Sequence, residues 1–593
     1  MINKSLCLLL LILIGFPSIA QTIHYSLSMP KPQTHYFNVT VELTNFKDSE
    51  ITMVLPVWAP GSYLVREFAQ NINLVKATNE KNEDLPVHKT SKNEWNISRN
   101  NSSKVIVKYE YYAFELSVRT SFLDLSHGYL NGTNVFMYPK NYLNLSGRLT
   151  IYPHASFSKV TTALPKFAES VSSDGLFEFR FSNYDELGDC PIEIGNHEEF
   201  SFEAAGVNHH VAMYGIGNYN IPKLIEDMSR IIESATAVYG ENPNKDYWFI
   251  IHNTTAGGGG LEHTNSTTLN VNRWSYDGND YLGFLSLVAH EYFHLWNVKR
   301  IRPDVLWPYD YTKESYTDLL WVMEGFTSYY DELLLRRAGY YSENEYLTKV
   351  QSTLNYVESG IGNKVQPVAH ASFDAWIKAY RPNENSSNTT VSYYPKGHLL
   401  ALVLDAMIIK ANNGKKSLDD FMKLVYTKYY KALGRGISSN ELRMELEKLT
   451  KSSLTKFYDK HINGVETIDY VGILKEIGVF VQMDQGEQII FGISAQDEGG
   501  RLIIQRISAG SSAEQCGLSV NDEIISFNGF RVNKTTFMQY TNGLNVGDEF
   551  NLIVNRDNQL MSIDCAMGVL PFSSYRMELE KGNKLTEYWL RTD

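Results

Sequence analysis

The sequence predicts a multidomain protein: an all-β N-terminal sandwich or saddle, a mainly helical α+β middle, and a β-rich C-terminal module. Three observations carry this. A chain of 593 residues exceeds what one hydrophobic core ordinarily serves. Apolar residues alternate with polar ones to about residue 200, then recur with helical spacing from about 220. From about 485 the strand-like pattern returns, broken by Gly-, Asn- and Ser-containing turns.

The elements follow in order. Lys4, an apolar run over 6–14 and Ser18-Ile19-Ala20 match a secretory signal over residues 1–20, too short to span a bilayer. The mature chain is then expected in the periplasm or outside the cell, with no transmembrane segment. Gln21 follows, so no cysteine stands at the expected cleavage point to carry a lipid. Residues 21–205 are the expected β domain, with strands over 36–43, 51–58, 104–114, 135–138, 147–152 and 175–181. Residues 206–478 are the expected middle domain. They hold a helix over 222–239 stopped by Gly240, a strand over 247–251, a four-glycine run at 257–260, and helices over 281–297, 319–335, 397–411, 417–433 and 439–449. Residues 479–570 form the C-terminal module and 571–593 a tail. Cys516 and Cys565 fall in that module and could pair; no cysteine has metal-ligand spacing. The composition, 43% hydrophobic and 20% charged, is that of a soluble globular protein. A formal net charge of −13 with no basic cluster argues against nucleic acid as a partner.

The chemistry centres on His290-Glu291-Tyr292-Phe293-His294. Two histidines four apart on a helix share a face, so both imidazoles can reach one Zn²⁺, and the intervening glutamate can take a proton from water. A catalytic zinc needs a third protein ligand. Glu324, on an apolar helix beside Trp321 and Phe326, is the candidate, because a carboxylate there needs a charged partner or a metal.

Trp321-Val322-Met323-Glu324-Gly325 followed by Ser328-Tyr329, downstream of His290–His294, resembles the gluzincins, zinc peptidases with a two-His, one-Glu site. Within them the chain resembles the glycyl aminopeptidase family, through His294-Leu295-Trp296-Asn297-Val298-Lys299-Arg300, Ala371-Ser372-Phe373-Asp374-Ala375-Trp376 and Pro56-Val57-Trp58-Ala59-Pro60-Gly61-Ser62-Tyr63. The resemblance implies a thermolysin-like catalytic fold, one Zn²⁺ per chain, peptide substrates and a preference for N-terminal Gly or Ala. Residues 295–323 separate the second histidine from Glu324, more than in the large aminopeptidase branch. In thermolysin-like enzymes an acid one turn past the ligand glutamate orients a zinc histidine; here that position is Ser328, and no orienting acid can be named.

Gly259, Gly260 and Glu262 resemble the segment by which related aminopeptidases hold the substrate's free amine; glycines there let a substrate backbone approach closely. Tyr393-Tyr394-Pro395-Lys396-Gly397 resembles the segment that supplies a phenol to the tetrahedral intermediate. By that match Tyr394 is the donor, with Tyr393 as the rival. The stretch around Gly517-Leu518 and Asn521-Asp522-Glu523-Ile524 resembles a PDZ domain. The resemblance makes Phe491, Gly492 and Ile493 the loop for a peptide C-terminus. Three functions stay open: an exported zinc aminopeptidase for small N-terminal residues, a zinc endopeptidase recruiting substrate tails through the PDZ domain, and a non-catalytic peptide-binding protein.

Overall fold

The computed structural model describes residues 20–167 and 175–592. The expected signal, 1–20, lies outside the described residues but for Ala20.

The N-terminal region is all β, a seven-stranded sheet with two four-stranded sheets. The strand Tyr36–Thr44 shows why: Phe37, Val39, Val41 and Leu43 alternate into one core while their neighbours stay half-exposed. It pairs antiparallel with Lys104–Tyr112, setting Val39 opposite Tyr109.

The catalytic region opens with a five-stranded sheet in the order Glu198–Ala204, Val207–Tyr214, Asp246–Thr254, Ser266–Asn272, Gly260–Glu262. Its first strand lies before residue 206 and pairs with Val207–Tyr214. The edge strand Gly260–Glu262 runs antiparallel to Ser266–Asn272, with Glu262 opposite Thr267. The helix Ile221–Tyr239 is capped where Asn220 Oδ1 accepts from Lys223 N at 3.0 Å, and it stops at Gly240 (φ +79°).

Two expected helices differ from the observed ones in ways that matter to the site. The motif helix spans Gly278–Phe293 and does not run on to 297. The chain leaves it through Val298, held at φ +109°, whose N–H donates to Ile301 O at 2.9 Å. A β-branched residue rarely adopts that backbone. The expected helix over 319–335 is two, Leu320–Met323 and Gly325–Arg337, with Glu324 at the joint.

The C-terminal module is a sheet of strands Ile493–Glu498, Arg501–Ile507, Glu523–Phe527, Glu549–Arg556 and Gln559–Ala566, cross-linked by a Cys516–Cys565 disulfide. Residues beyond 570, read from sequence as a tail, are structured. The strand Val569–Leu579 pairs antiparallel with Val479–Ile489 and leads to the helix Lys584–Trp589. Trp589 is buried in the catalytic core, and its indole N–H donates to Tyr329 O–H at 2.8 Å. The apolar area of an indole and its one donor are both satisfied there, which drives the return. The module thus hangs from the catalytic region by both ends.

Buried charge locks the N-terminal region in place. Asp189 accepts from Lys299 Nζ at 2.7 Å, from Thr264 N at 2.8 Å and pairs with His263 Nδ1 at 3.1 Å. Burial pushes its carboxyl up, but Lys299 and His263 outweigh that and hold it well below the usual range. No described helix is long and apolar enough to cross a membrane.

Candidate active site

His290 and His294 stand one turn apart at the C-terminal end of the motif helix. Their Nε2 atoms lie 3.1 Å apart. Glu324 Oε2 is 3.2 Å from His294 Nε2 and 3.6 Å from His290 Nε2. Ligands bound at about 2.0–2.1 Å around a tetrahedral ion lie about 3.3 Å from one another, so these three atoms fit one zinc. The outer ring nitrogens are spoken for. His290 Nδ1 pairs with Asp331 Oδ2 at 2.9 Å, and His294 Nδ1 donates to Asn297 O at 2.7 Å. Those acceptors turn each Nε2 lone pair toward the shared point. Burial pushes the Glu324 carboxyl up, and the two imidazoles outweigh it and hold it below the usual range. A second group, His127, Glu193 and His252, is fully buried between the N-terminal region and the central sheet. Its 2.7 and 2.9 Å contacts are hydrogen-bond lengths, shorter than tetrahedral edges.

Asn297 ties the two halves of this cage. Its side-chain amide donates to Val322 O and Met323 O, both at 3.0 Å, while its carbonyl receives His294. The strained turn at Val298 presents that carbonyl. Asn297→Ala is therefore expected to weaken zinc affinity about 10- to 100-fold, read by competition with a chelator. Unchanged affinity would remove Asn297 from this role.

Glycines set the remaining distances. A Cβ at Gly325 would sit 2.4 Å from Gly397 Cα, and one at Gly397 would sit 2.2 Å from Trp321 O. The helix Tyr393–Ala411 therefore packs backbone against backbone on the Glu324 joint. This carries the Tyr394 ring to 6.3 Å from the His290 ring. Tyr393 is buried in the core beneath it. A Cβ at Gly260 would lie 2.3 Å from Glu291 Cδ, so the edge strand touches the Glu291 carboxyl closely. Gly259 takes φ +102°, a backbone that favours glycine. From the N-terminal region, Gly61 (φ +87°) covers Glu262: a Cβ there would lie 2.4 Å from Glu262 Oε1.

Glu291 and Glu262 are both buried, and Glu291 Oε2 and Glu262 Oε1 have no hydrogen-bond partner among the described residues. Oxygens of these two carboxylates and a ring nitrogen of His294 fall within 4.8 Å of one another. Burial pushes the Glu291 carboxyl above its usual range; the two histidines pull the other way. Arg119, from the N-terminal region, donates through Nη2 to Gly260 O at 3.4 Å.

Residues 24–196 match the profile of the Peptidase M61 N-terminal domain, 283–400 that of M61 glycyl aminopeptidase, and 490–566 that of a PDZ domain. The crystal structure of an aminopeptidase N family protein from Idiomarina loihiensis is 31% identical, with a TM-score of 0.89, covering 96% of this chain and 100% of that one. The chain belongs to the M61 glycyl aminopeptidase family. That membership makes it a metallopeptidase. An M1 zinc metallopeptidase from Deinococcus radiodurans is similar at 14% identity and a TM-score of 0.47, over 72% of this chain and 90% of that one. Comparison with curated proteins returned no match.

In this M61 chain, Asp331, Asn297, Gly61 and Arg119 join the site without having been assigned a role from sequence. Asp331 follows Glu324 by seven residues, two turns along the same face, and that spacing was a usable signal. Arg119 had none, since 141 residues separate it from Gly260. In the PDZ domain, Gly492 (φ +89°) lies between Phe491 and Ile493, and a Cβ there would meet Ser511 Cβ at 2.2 Å. The groove beside this loop runs between the edge strand Ile493–Glu498 and the helix Lys534–Asn542.

Proposed function

We propose that the chain is an exported zinc aminopeptidase that removes Gly or Ala from the N-terminus of peptides. One observation carries the exopeptidase reading: Glu262 holds a buried, unpartnered carboxylate oxygen beside Glu291 and His294. A buried anion needs a cation, and the free α-ammonium of a substrate supplies one. His290, His294 and Glu324 would hold one Zn²⁺, which when bound supplies Lewis-acid activation of water and of the scissile carbonyl. Glu291, poised by burial, accepts the proton from the attacking water and returns it to the leaving amine. Tyr394 donates a hydrogen bond from its phenol to the oxyanion that develops on the scissile carbonyl. Glu262 fixes the ammonium one residue from the cut.

The preference for Gly and Ala rests on the family. Export is supported by the signal-like residues 1–20 and by the Cys516–Cys565 disulfide, a bond that persists in oxidising compartments. The PDZ groove, with its open edge strand and glycine loop, suits a peptide C-terminus.

The test compares a Gly-initiated peptide with its N-acetylated twin. The free peptide is expected to be cleaved at least about 100-fold faster, the consequence of leaving a buried carboxylate unpaired in the blocked complex. Equal rates would sink the aminopeptidase reading and leave the endopeptidase.

A further inference from the structure

A cleft of about 640 Å³ opens beside Tyr394, lined by Arg66, Arg119, Lys378 and Arg506 and by no carboxylate. On a chain with a net charge of −13, four cations and no acid around one cleft run against the general surface. Lys378 pairs with Asp374 at 3.5 Å. Among the described residues no carboxylate lies within ion-pair distance of the three arginines. Arg66 spends two donors on Ser62 Oγ, at 3.3 and 3.2 Å, and Glu115 acts on it only through space. Arg119 holds Gly260 O at 3.4 Å, with a buried Nε that has no partner among the described residues.

Arg506 comes from the PDZ strand Arg501–Ile507. Its place is fixed by a two-bond dock: Asn388 Nδ2 donates to Ile507 O at 2.8 Å, and Ala509 N donates to Asn388 Oδ1 at 3.0 Å. The PDZ domain thus supplies one wall of the cleft beside Tyr394, whatever its own groove binds. Neither Glu262 nor Glu291 lines this space; Tyr394 does. The site therefore has buried anions at the position proposed for the substrate amine and guanidinium groups in the cleft beyond the phenol.

We propose that this cleft receives a carboxylate on the leaving-group side of the substrate, so that short peptides carrying such a charge are the preferred substrate class. The inference rests on the aminopeptidase reading above, which places the amine at Glu262. A guanidinium offers paired N–H donors that match a carboxylate, and three of them around one cleft tolerate a range of peptide lengths. The carboxylate has two sources, a free C-terminus or an Asp or Glu side chain.

The experiment measures kcat/KM for Gly-Ala-Ala as the free acid, for its C-terminal amide, and for Gly-Ala-Glu amide, on the full-length zinc enzyme and on Arg506→Gln and Arg66→Gln. The acid is expected to exceed the neutral amide by about 10- to 100-fold, the range for a charge-assisted hydrogen-bonded pair. Each arginine variant should bring that ratio toward one. Because the ratio is taken within each enzyme, partial misfolding of a variant cancels. If Gly-Ala-Glu amide matches the free acid, the cleft reads a side-chain carboxylate as well; if it behaves as the neutral amide, it reads the C-terminus. Either result supports the cleft. A ratio near one in the wild type, or one that both variants leave untouched, overturns it. The N-acetylated twin, run in parallel, separates the two failures: refusal of that peptide with an acid-to-amide ratio of one sinks the cleft alone.

Discussion

Glu291→Gln is expected to lower kcat by about 10³- to 10⁴-fold while the zinc content stays unchanged. The amide has the shape of the carboxylate, so the close contact between Gly260 and the Glu291 side chain is preserved. What is lost is the basicity of a buried oxygen that has no partner among the described residues. Burial raises the affinity of Glu291 for a proton, and the neighbouring histidines pull the other way. In the proposed mechanism this carboxylate takes a proton from water and later gives it up. Glutamine can do neither. The measurements are single-turnover kinetics on a Gly-initiated peptide and metal analysis by emission spectrometry. Activity within tenfold of wild type would assign the base elsewhere. A loss of metal would show instead that Glu291 holds the cage together.

How far the site could be read in the sequence depended on whether a residue's role was local. His290, Glu291 and His294 needed only helical periodicity, and they sit where that period puts them. Glu324 needed its apolar neighbours, because burial of a carboxylate is itself informative. The boundaries around them were not legible. The motif helix ends at Phe293, since Asn297 is recruited to the carbonyls of Val322 and Met323. A tertiary hydrogen bond of that kind leaves no period behind. The same holds for the return of Trp589 to the core, which no hydrophobic period marks. Arg119 and Gly61 reach the site from the N-terminal region, brought there by Asp189, Lys299 and His263, and no local rule connects them to Glu262. The three-part fold, in contrast, follows from two changes of hydrophobic period, because period sets which elements can bury a face. The glycines at 325 and 397 fall between these cases. Each is visible in a motif, but that they touch each other is a fact of packing.

Glu262→Gln is expected to lower kcat/KM on Gly-initiated peptides by about 10²- to 10³-fold, matching the loss of one partner from a buried ion pair. The substitution keeps volume, which matters because Gly61 leaves no room above the side chain: even a Cβ there would lie 2.4 Å from Oε1. It also leaves His290, His294, Glu324 and Glu291 intact, so the decline reports on substrate binding and not on the metal cage. The diagnostic quantity is the discrimination between the free peptide and its N-acetylated twin. In the wild type a blocked amine leaves Glu262 buried with no cation paired to it among the described residues, Arg119 and Lys299 acting only through space; in the variant there is no charge to strand. The ratio of the two rates should therefore collapse toward one, chiefly through the slower free peptide. A purely structural role for Glu262 predicts that both rates fall together with the ratio unchanged, and that result would detach the anchor from the site. Glu262 sits on the edge strand with an oxygen within 4.8 Å of an oxygen of Glu291 and a ring nitrogen of His294, so an ammonium held there would stand beside the proposed base, as release of a single residue requires.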